Sequence, residues 1–486
     1  MTSDNLLVLA TLIAYKLVLV GVGIWASRRT RTESDFFIAG QGLGPWVSGL
    51  SYAASTSSAW VLLGFSGFVY ASGLSALWMV PGIWAGYVVV WLVFGRRLRE
   101  ETAARGHVTL TDFAAAGAND GMKRIIAITA SILIVFCFIF YIAAQFGAAA
   151  TAFETQFNLP ATESVLLGAG VVLVYALLGG FWAVSVTDML QGGLMALVAV
   201  LLPAYAFMAA GGIPGIADAL AHSAPEGYLD LTGNMGFFLL VGFVLGVWGV
   251  GLAALGQPHL LARLMAVKDE PARKRGFAIA MVWAVLVYLG MIALALSGRA
   301  ILGGGLNGEG LFYQLANDLL PPVLAGLVIA AILSAIMSTV DSILLSASAA
   351  VSHDMRLVKL FPGREVMISR IVMVGITAFA IWLTLTVEST IFARVLFAWS
   401  ALGAAFGPIV VMRVLGHEPA GWSVWLAMVC GFGLTVVFNA LGQVPEGAVE
   451  GVFASLRGLA LLPGDPFERV FPWVPALAIL WAGRKG

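Results

Sequence analysis

Asp341 stands inside a long apolar stretch, Val323 to Val351, within the run Ala335-Ile336-Met337-Ser338-Thr339-Val340-Asp341-Ser342. A carboxylate at the centre of a membrane-spanning helix costs roughly 2.5–3.5 kcal/mol on insertion scales, so such a group faces a wet or protein-lined interior and has a partner. Ser338, Asp341 and Ser342 fall at i, i+3 and i+4 and share one helix face. Hard oxygen ligands on one face suit a small hard cation, and sodium fits that description. A second oxygen-rich run, Ser51-Tyr52-Ala53-Ala54-Ser55-Thr56-Ser57-Ser58, places four hydroxyl residues in succession. Small residues let helices approach closely, but four in a row cannot share one packing face, which favours a site whose polar groups are satisfied internally. Asp188 closes Trp182-Ala183-Val184-Ser185-Val186-Thr187-Asp188 at a span end. There it either complements a helix N-terminus or binds an ion, and the local sequence favours neither.

These residues need a scaffold, and composition names its solvent. Of 486 residues 60% are hydrophobic and only 11% charged, and the mean hydropathy is +0.96. Soluble chains are nearer 45–50% apolar, so this is a polytopic protein of the lipid bilayer. A formal net charge of zero excludes the concentrated basic surface that nucleic acid requires. Cys137 and Cys430 both lie in apolar segments, which argues against a disulfide. His107, His222, His259, His353 and His417 are scattered and form no ligand pair, so the chain is not expected to be an enzyme. The first apolar run, Leu6 to Trp25, follows Asp4 and precedes Arg28, Arg29 and Arg31. That charge order is the reverse of a signal peptide and reads as a retained span.

At about twenty apolar residues per crossing, the chain divides into thirteen segments, near 5–26, 45–72, 75–95, 124–152, 162–182, 185–210, 236–258, 276–300, 321–351, 366–387, 391–415, 420–442 and 471–484. Positive residues cluster in alternate loops: Arg96, Arg97, Arg99, Arg105, Lys123 and Arg124 in one, Arg263, Lys268, Arg273, Lys274 and Arg275 in another. Arg356, Lys359, Arg364, Arg370, Arg413, Arg484 and Lys485 extend the pattern. The positive-inside rule then places the N-terminus outside and the C-terminus in the cytoplasm of a multi-pass inner (plasma) membrane protein. The outer loops 211–234, 301–320 and 443–468 carry short amphipathic pieces suited to lids. No soluble output domain is expected, which argues against a receptor.

Two segments look broken. One contains Ser51 to Ser58; the other ends in Gly249, Gly251 and Gly256-Gln257-Pro258. Non-helical backbone at membrane depth persists only where protein or a water-filled cavity satisfies it. Transporters built from inverted repeats break the first span of each repeat, and the ligands sit between the breaks. The second and seventh segments are five apart. One transmembrane transporter domain, 1–486, is expected: first span and inner loop at 1–42, first repeat at 43–210, second repeat at 235–415, two further spans at 416–486. Lys16, in the first span, reads as a snorkelling or inter-helix group. Trp60, Tyr141 and Trp248 serve either packing or a solute wall, and Gln257-Pro258-His259 ends a helix.

The stretches Ser51 to Gly64, Gly179 to Gln191, Gly256 to Arg263, Ala331 to Ser348 and Trp399 to Pro408 resemble the solute:sodium symporter family, most closely its bacterial sodium:proline branch; Thr109-Leu110-Thr111-Asp112-Phe113 and Phe153-Glu154 match it too. The resemblance implies an all-α integral membrane fold with a leucine-transporter-type 5+5 inverted-repeat core. It implies a sodium site of Ala54 and Ser57 with Ala335, Ser338 and Thr339, and a candidate second sodium set of Asp188, Ser338, Asp341 and Ser342. The solute pocket would lie against Ser55, Thr56, Ser58, Trp60, Tyr141, Gln145, Trp248 and Gln257. Two positions depart from the branch. An acid there is Thr56 here, and its pocket aromatics fall on Val250 and Ala254, which implies a roomier pocket. The expected activity is sodium-coupled import of a small solute, L-proline foremost. Another amino acid, a betaine or a carboxylate as solute, proton coupling, and a solute-sensing relative are the alternatives. Sodium, solute and bilayer are the expected partners, with oligomeric state open.

Overall fold

A computed structural model describes residues 3–27, 33–177, 180–357, 364–387 and 390–484. Arg28, Arg29, Arg31, Lys359 and Lys485 of the charge pattern lie outside the described residues. The described chain is helical, with two isolated bridges, Leu43 to Val267 and Pro419 to Arg484, as its only extended pairings. The principal helices are α1 (Ser3–Ser27), α2 (Pro45–Ala59), α3 (Met79–Val88), α4 (Asp120–Phe157), α5 (Ala161–Ala176), α6 (Phe181–Ala209) and α7 (Phe237–Ala253). They continue as α8 (Pro258–Met265), α9 (Glu270–Leu302), α10 (Pro322–Ala349), α11 (Glu365–Thr386), α12 (Ile391–Val414), α13 (Gly421–Gln443) and α14 (Trp473–Ala482).

Each of the thirteen expected segments falls on a helix. Among the described residues ten stretches are long and apolar enough to cross a membrane, and one of these, Pro45–Arg105, runs through two of the expected segments. At 16 and 10 residues, α5 and α14 are too short to qualify alone, so thirteen crossings remain an expectation. Burial separates centre from rim: 94% of the apolar window of α12 and 83% of that of α10 are enclosed, against 22% for α1. Large apolar side chains on the outer faces, such as Phe238 at 88% exposure, suit a hydrocarbon surround.

Both expected breaks are present. Inside α2, Ser58 takes φ 47°, ψ −172°, a conformation that L-residues rarely adopt. The chain then resumes as a wide helical turn over Trp60–Phe65. After α7 it tightens through Ala254–Gly256, extends at Gln257 (φ −90°, ψ 107°) and restarts at Pro258, where the fixed φ and missing N–H of proline suit a first helical residue. Gly256 is required at this break because a Cβ would overlap the Leu402 carbonyl on α12.

The loops close the two ends. In the loop 301–320, Leu311, Phe312, Tyr313, Leu315 and Ala316 are buried. The Glu309 carboxylate accepts the N–H groups of Ile391 at 3.2 Å and Phe392 at 2.9 Å, at the start of α12. Burial raises its pKa above the usual glutamate range despite those donors. At the other end Thr109 and Asp112 form a capping box over Leu110–Ala115. Burial alone would push the Asp112 carboxyl up, but His353 and the N–H groups of Val108 and Thr109 hold it below the usual aspartate range.

Candidate cation and solute site

The hydroxyl runs of α2 and α10 meet. Ser55 Oγ donates to the Ser338 carbonyl at 2.9 Å. Thr339 Oγ1 lies 3.0 Å from the Ala335 carbonyl and 3.4 Å from that of Ser55, and Ser338 Oγ donates to Ala335 O at 3.2 Å. Ala54, Ser57, Ala335, Ser338 and Thr339 are all fully buried, and Ser57 Oγ has no partner among the described residues. Carbonyls and hydroxyls gathered here carry lone pairs and no titrating group. Such a set can bind a small cation without exchanging protons.

One turn deeper, Asp188 and Ser342 face the same helix crossing, and a residue that sequence reasoning had assigned to topology has joined them. Arg263, on α8, is completely buried. Its Nε donates to Ser51 Oγ at 2.7 Å, and its Nη2 lies 2.8 Å from Asp188 Oδ2, 2.7 Å from Ser55 Oγ and 2.5 Å from Ser342 Oγ. Ser51 Oγ in turn donates to Asp188 Oδ2 at 2.7 Å. The ring of Phe181 covers the guanidinium at 5.5 Å. Asp341 is buried beside this cluster, with Oδ1 3.4 Å from Ser342 Oγ and with no hydrogen-bond partner for Oδ2 among the described residues. The geometry thus favours ion pairing over helix capping for Asp188. Of the four residues in the candidate second sodium set, Asp188 and Ser342 hold a guanidinium, while Ser338 belongs chiefly to the first locus. The one sequence signal for Arg263 was its position in Gly256 to Arg263, as the sole formal charge on the short helix after the break. Lys16 makes the expected inter-helix contact, with Nζ against Met337 Sδ one turn before Asp341.

Thr56, Trp60 and Tyr141 line a cavity between the two breaks, together with Tyr87, Val250, Ala254, Tyr288 and Trp399. Its volume is about 20 Å³, room for one water-sized body. In this conformation Tyr87, Tyr288 and Trp399 line the small space together with Val250 and Ala254. Thr56 Oγ1 donates to the Tyr52 carbonyl at 2.6 Å, and Trp60 stacks on Phe392 at 5.9 Å. Other expected pocket residues act at the rim. Ser58 Oγ accepts the Trp60 N–H at 3.0 Å and Gln145 Oε1 accepts that of Ala59 at 3.1 Å, so both satisfy backbone freed by the break. Gln257 Nε2 bridges the Ala253 and Trp399 carbonyls at 3.1 and 2.8 Å. Ser55 points into the Arg263 cluster.

Trp248 is misplaced by the sequence reading. It is 42% exposed, donates to the Trp78 carbonyl at 2.8 Å and does not line the cavity. It precedes Val250 by two residues, and at 100° per residue that turns its side chain to the far side of α7. The aromatic lining that sequence reasoning missed comes from Tyr87 on α3, Tyr288 on α9 and Trp399 on α12. Towards the basic end of the molecule a wide cavity of about 870 Å³ is lined by Arg105, Lys123, Arg124, His353 and Asp354 among others. A small space of about 30 Å³ shares Thr111 and Asp354 with it and reaches Phe181, Pro258 and Ala262, flanking Arg263.

The sodium:solute symporter family profile matches residues 36–417. The sodium/proline symporter of Escherichia coli (strain K12) is 32% identical over 422 residues, 84% of this chain and 82% of that one. The osmoregulated proline transporter OpuE of Bacillus subtilis (strain 168) is 32% identical over 420 residues, 84% of each. Among solved structures, a Na+-coupled sialic acid symporter in its substrate-bound outward-open state aligns with a TM-score of 0.77 at 18% identity, covering 99% of this chain and 98% of that one. MhsT in complex with L-phenylalanine aligns with a TM-score of 0.55 at 15% identity, covering 91% and 99%. These two likenesses establish a leucine-transporter-type fold. The length and level of the match to the family, with both helix breaks in place, identify the chain as a member of the sodium:solute symporter family.

Proposed function

We propose that this symporter couples sodium entry to import of L-proline by alternating access across the plasma membrane, with its N-terminus outside and its C-terminus in the cytoplasm. The observation that carries the reading is the direct crossing of the α2 break and α10 at Ser55, Ser338 and Thr339, next to the aromatic cavity. Sodium bound by the carbonyls of Ala54, Ser57 and Ala335 and the hydroxyls of Ser338 and Thr339 orders the α2 break. That same break frames the solute cavity through Thr56 and Trp60. Ion and solute then share one ordering cost, and their coupling is reciprocal. Two inverted repeats, 43–210 and 235–415, supply one broken helix each.

The relatives named for proline transport support the choice of solute. A tenfold sodium gradient contributes about 1.4 kcal/mol and 100 mV about 2.3 kcal/mol per charge, so one sodium accumulates a neutral solute several hundredfold. In the conformation described, the outer end is latched by Glu309 on α12, with Phe392 over Trp60. The test is initial uptake of labelled proline into proteoliposomes under an inward sodium gradient, with a matched potassium gradient as control and a betaine as competitor. Sodium-dependent accumulation is expected. Equal uptake in potassium removes sodium as the coupling ion, and displacement by the betaine alone replaces the solute.

A further inference from the structure

At the basic end of the molecule Asp112, His353 and Asp354 each offer one ligand atom, and the three atoms lie within 4.8 Å of one another. Among the described residues this is the one place where three such groups meet. His353 Nε2 and Asp112 Oδ2 stand 3.3 Å apart. Two ligands held tetrahedrally at about 2.1 Å from one zinc-type ion are spaced by about 3.4 Å, so this pair already has that spacing and the third group needs only a small side-chain turn. An ion pair alone accounts for His353 and Asp112. It leaves Asp354 Oδ2 without a partner among the described residues, although Asp354 is only 9% exposed, and it leaves the buried Thr111 Oγ1 in the same state. A buried carboxylate oxygen without a donor is costly, and a cation removes that cost.

The ligands are also held in place. Asp112 Oδ2 accepts the N–H groups of Val108 at 3.0 Å and Thr109 at 3.3 Å, and Thr109 Oγ1 donates to Asp354 Oδ1 at 2.8 Å. Hydrogen bonds of this kind orient ligating carboxylates. Asp112 and His353 keep 32% and 25% of their side chains exposed and line the wide cavity of about 870 Å³. An ion therefore has a way in, and water has the remaining coordination position. One imidazole with two carboxylates suits a divalent transition metal better than sodium, calcium or magnesium, which prefer oxygen alone. On the same wall Arg105 is answered by Glu101 at 3.7 Å and Glu418 at 3.6 Å, and Lys123 by Asp120 at 3.8 Å. Arg124 and Arg356 also line the cavity and lower its affinity for any cation.

We propose that Asp112, His353 and Asp354 form a site for a zinc-class divalent metal ion that regulates the basic end of the molecule. His353 and Asp354 belong to the wide helical turn Ala350–Asp354 that follows α10, and Asp112 to the short helix Leu110–Ala115. Thr111 and Asp354 stand between the wide cavity and the small space that reaches Pro258 and Ala262 on α8. An ion shared by the two elements staples them together at this dividing wall and holds the end shut. The regulatory consequence rests on the reading of this chain as an alternating-access symporter; the metal site itself does not.

Binding is read first, by calorimetric titration of the purified, chelator-treated full-length protein with Zn2+. One ion per molecule is expected, and His353→Gln and Asp354→Asn should each weaken binding by at least about tenfold. No binding to wild type, or unchanged binding in both variants, overturns the site. If neither variant folds, pulsed electron paramagnetic resonance of the Mn2+-loaded wild-type protein decides: coupling to one histidine nitrogen is expected, and its absence overturns the site. The staple is read by sodium-driven proline uptake into proteoliposomes with Zn2+ supplied to the basic face. Uptake by wild type should slow several-fold and that by His353→Gln should not change. Binding without any slowing, in liposomes that do transport, overturns the staple. Liposomes that accumulate nothing with or without Zn2+ count against the symporter reading, while the titration still decides the site.

Discussion

The same two helices, α2 and α10, build two adjacent oxygen clusters of opposite character. At Ser338 and Thr339 every gathered oxygen is neutral and the polar groups lean on one another's backbones. One turn on, Asp188 supplies full charge and Arg263 answers it from α8. A neutral cluster binds a monovalent cation weakly enough to release it, because no full charge has to be left behind in a low-dielectric interior. A charged cluster of the same size retains a cation far longer. The difference separates a locus suited to turnover from one suited to a resident charge. It also predicts opposite responses to mutation: damage at the charged cluster falls on folding, and damage at the neutral one falls on sodium affinity.

The largest effect is expected from Asp188→Asn. It leaves the guanidinium buried and uncompensated, and breaking a buried pair from one side costs about 3–5 kcal/mol. The protein should lose most of its thermal stability in detergent and its uptake with it. Pairing Asp188→Asn with Arg263→Gln removes both charges and should restore a folded protein. A single variant as stable as wild type would show that the pair is not retained as a unit, and the contrast between the clusters would collapse.

Next in size are Ser338→Ala and Thr339→Ala at the neutral cluster. Each removes one neutral oxygen, worth about 1–1.5 kcal/mol, so the sodium concentration for half-maximal uptake should rise roughly tenfold while the melting temperature moves little. Unchanged sodium dependence in both variants would remove the proposed site.

How far the sequence reveals this contrast differs between the clusters. The hydroxyl runs that meet in the neutral one are legible because they are local, lying in apolar segments and at a break marked by Ser55 to Ser58, whereas the grouping of Ala54, Ser57, Ala335, Ser338 and Thr339 comes from the family resemblance. The second break is legible from Gly256-Gln257-Pro258 because it too is local. Arg263 is not, because a positive charge near a segment end is ordinarily a topology signal, and the acid that holds it lies 75 positions earlier. Nothing local distinguishes it from Arg273, which pairs with Glu270 three residues away. The solute cavity is half legible. Thr56, Trp60 and Tyr141 come from the family resemblance, since their types alone suit packing equally well, whereas Tyr87, Tyr288 and Trp399 depend on which helices close around the cavity.

Trp60→Leu sharpens the comparison from the solute side. Trp60 lines the cavity, and its stack on Phe392 joins that wall to the α12 terminus held by Glu309. Losing the aromatic stack forfeits about 1 kcal/mol, so the half-saturating solute concentration should rise about fivefold. The sodium dependence measured at saturating solute should hold. A parallel loss of sodium affinity would mean that the cavity and the neutral cluster cannot be separated at Trp60.

The smallest effect is expected from Trp248→Phe. Its indole meets the Trp78 carbonyl on the outer side of α7, so the substitution removes one partly exposed hydrogen bond, worth about 0.5–1 kcal/mol of stability. Solute half-saturation should stay within about twofold of wild type, because the residue lies across the helix from Val250 and Ala254. Uptake titrated against proline for Trp248→Phe and Trp60→Leu in the same membranes gives the direct contrast. If Trp248→Phe proved the more damaging of the two, α7 would have to rotate during the cycle by enough to bring its outer face into the cavity. The solute would then contact a different set of α7 residues from those that line the space here.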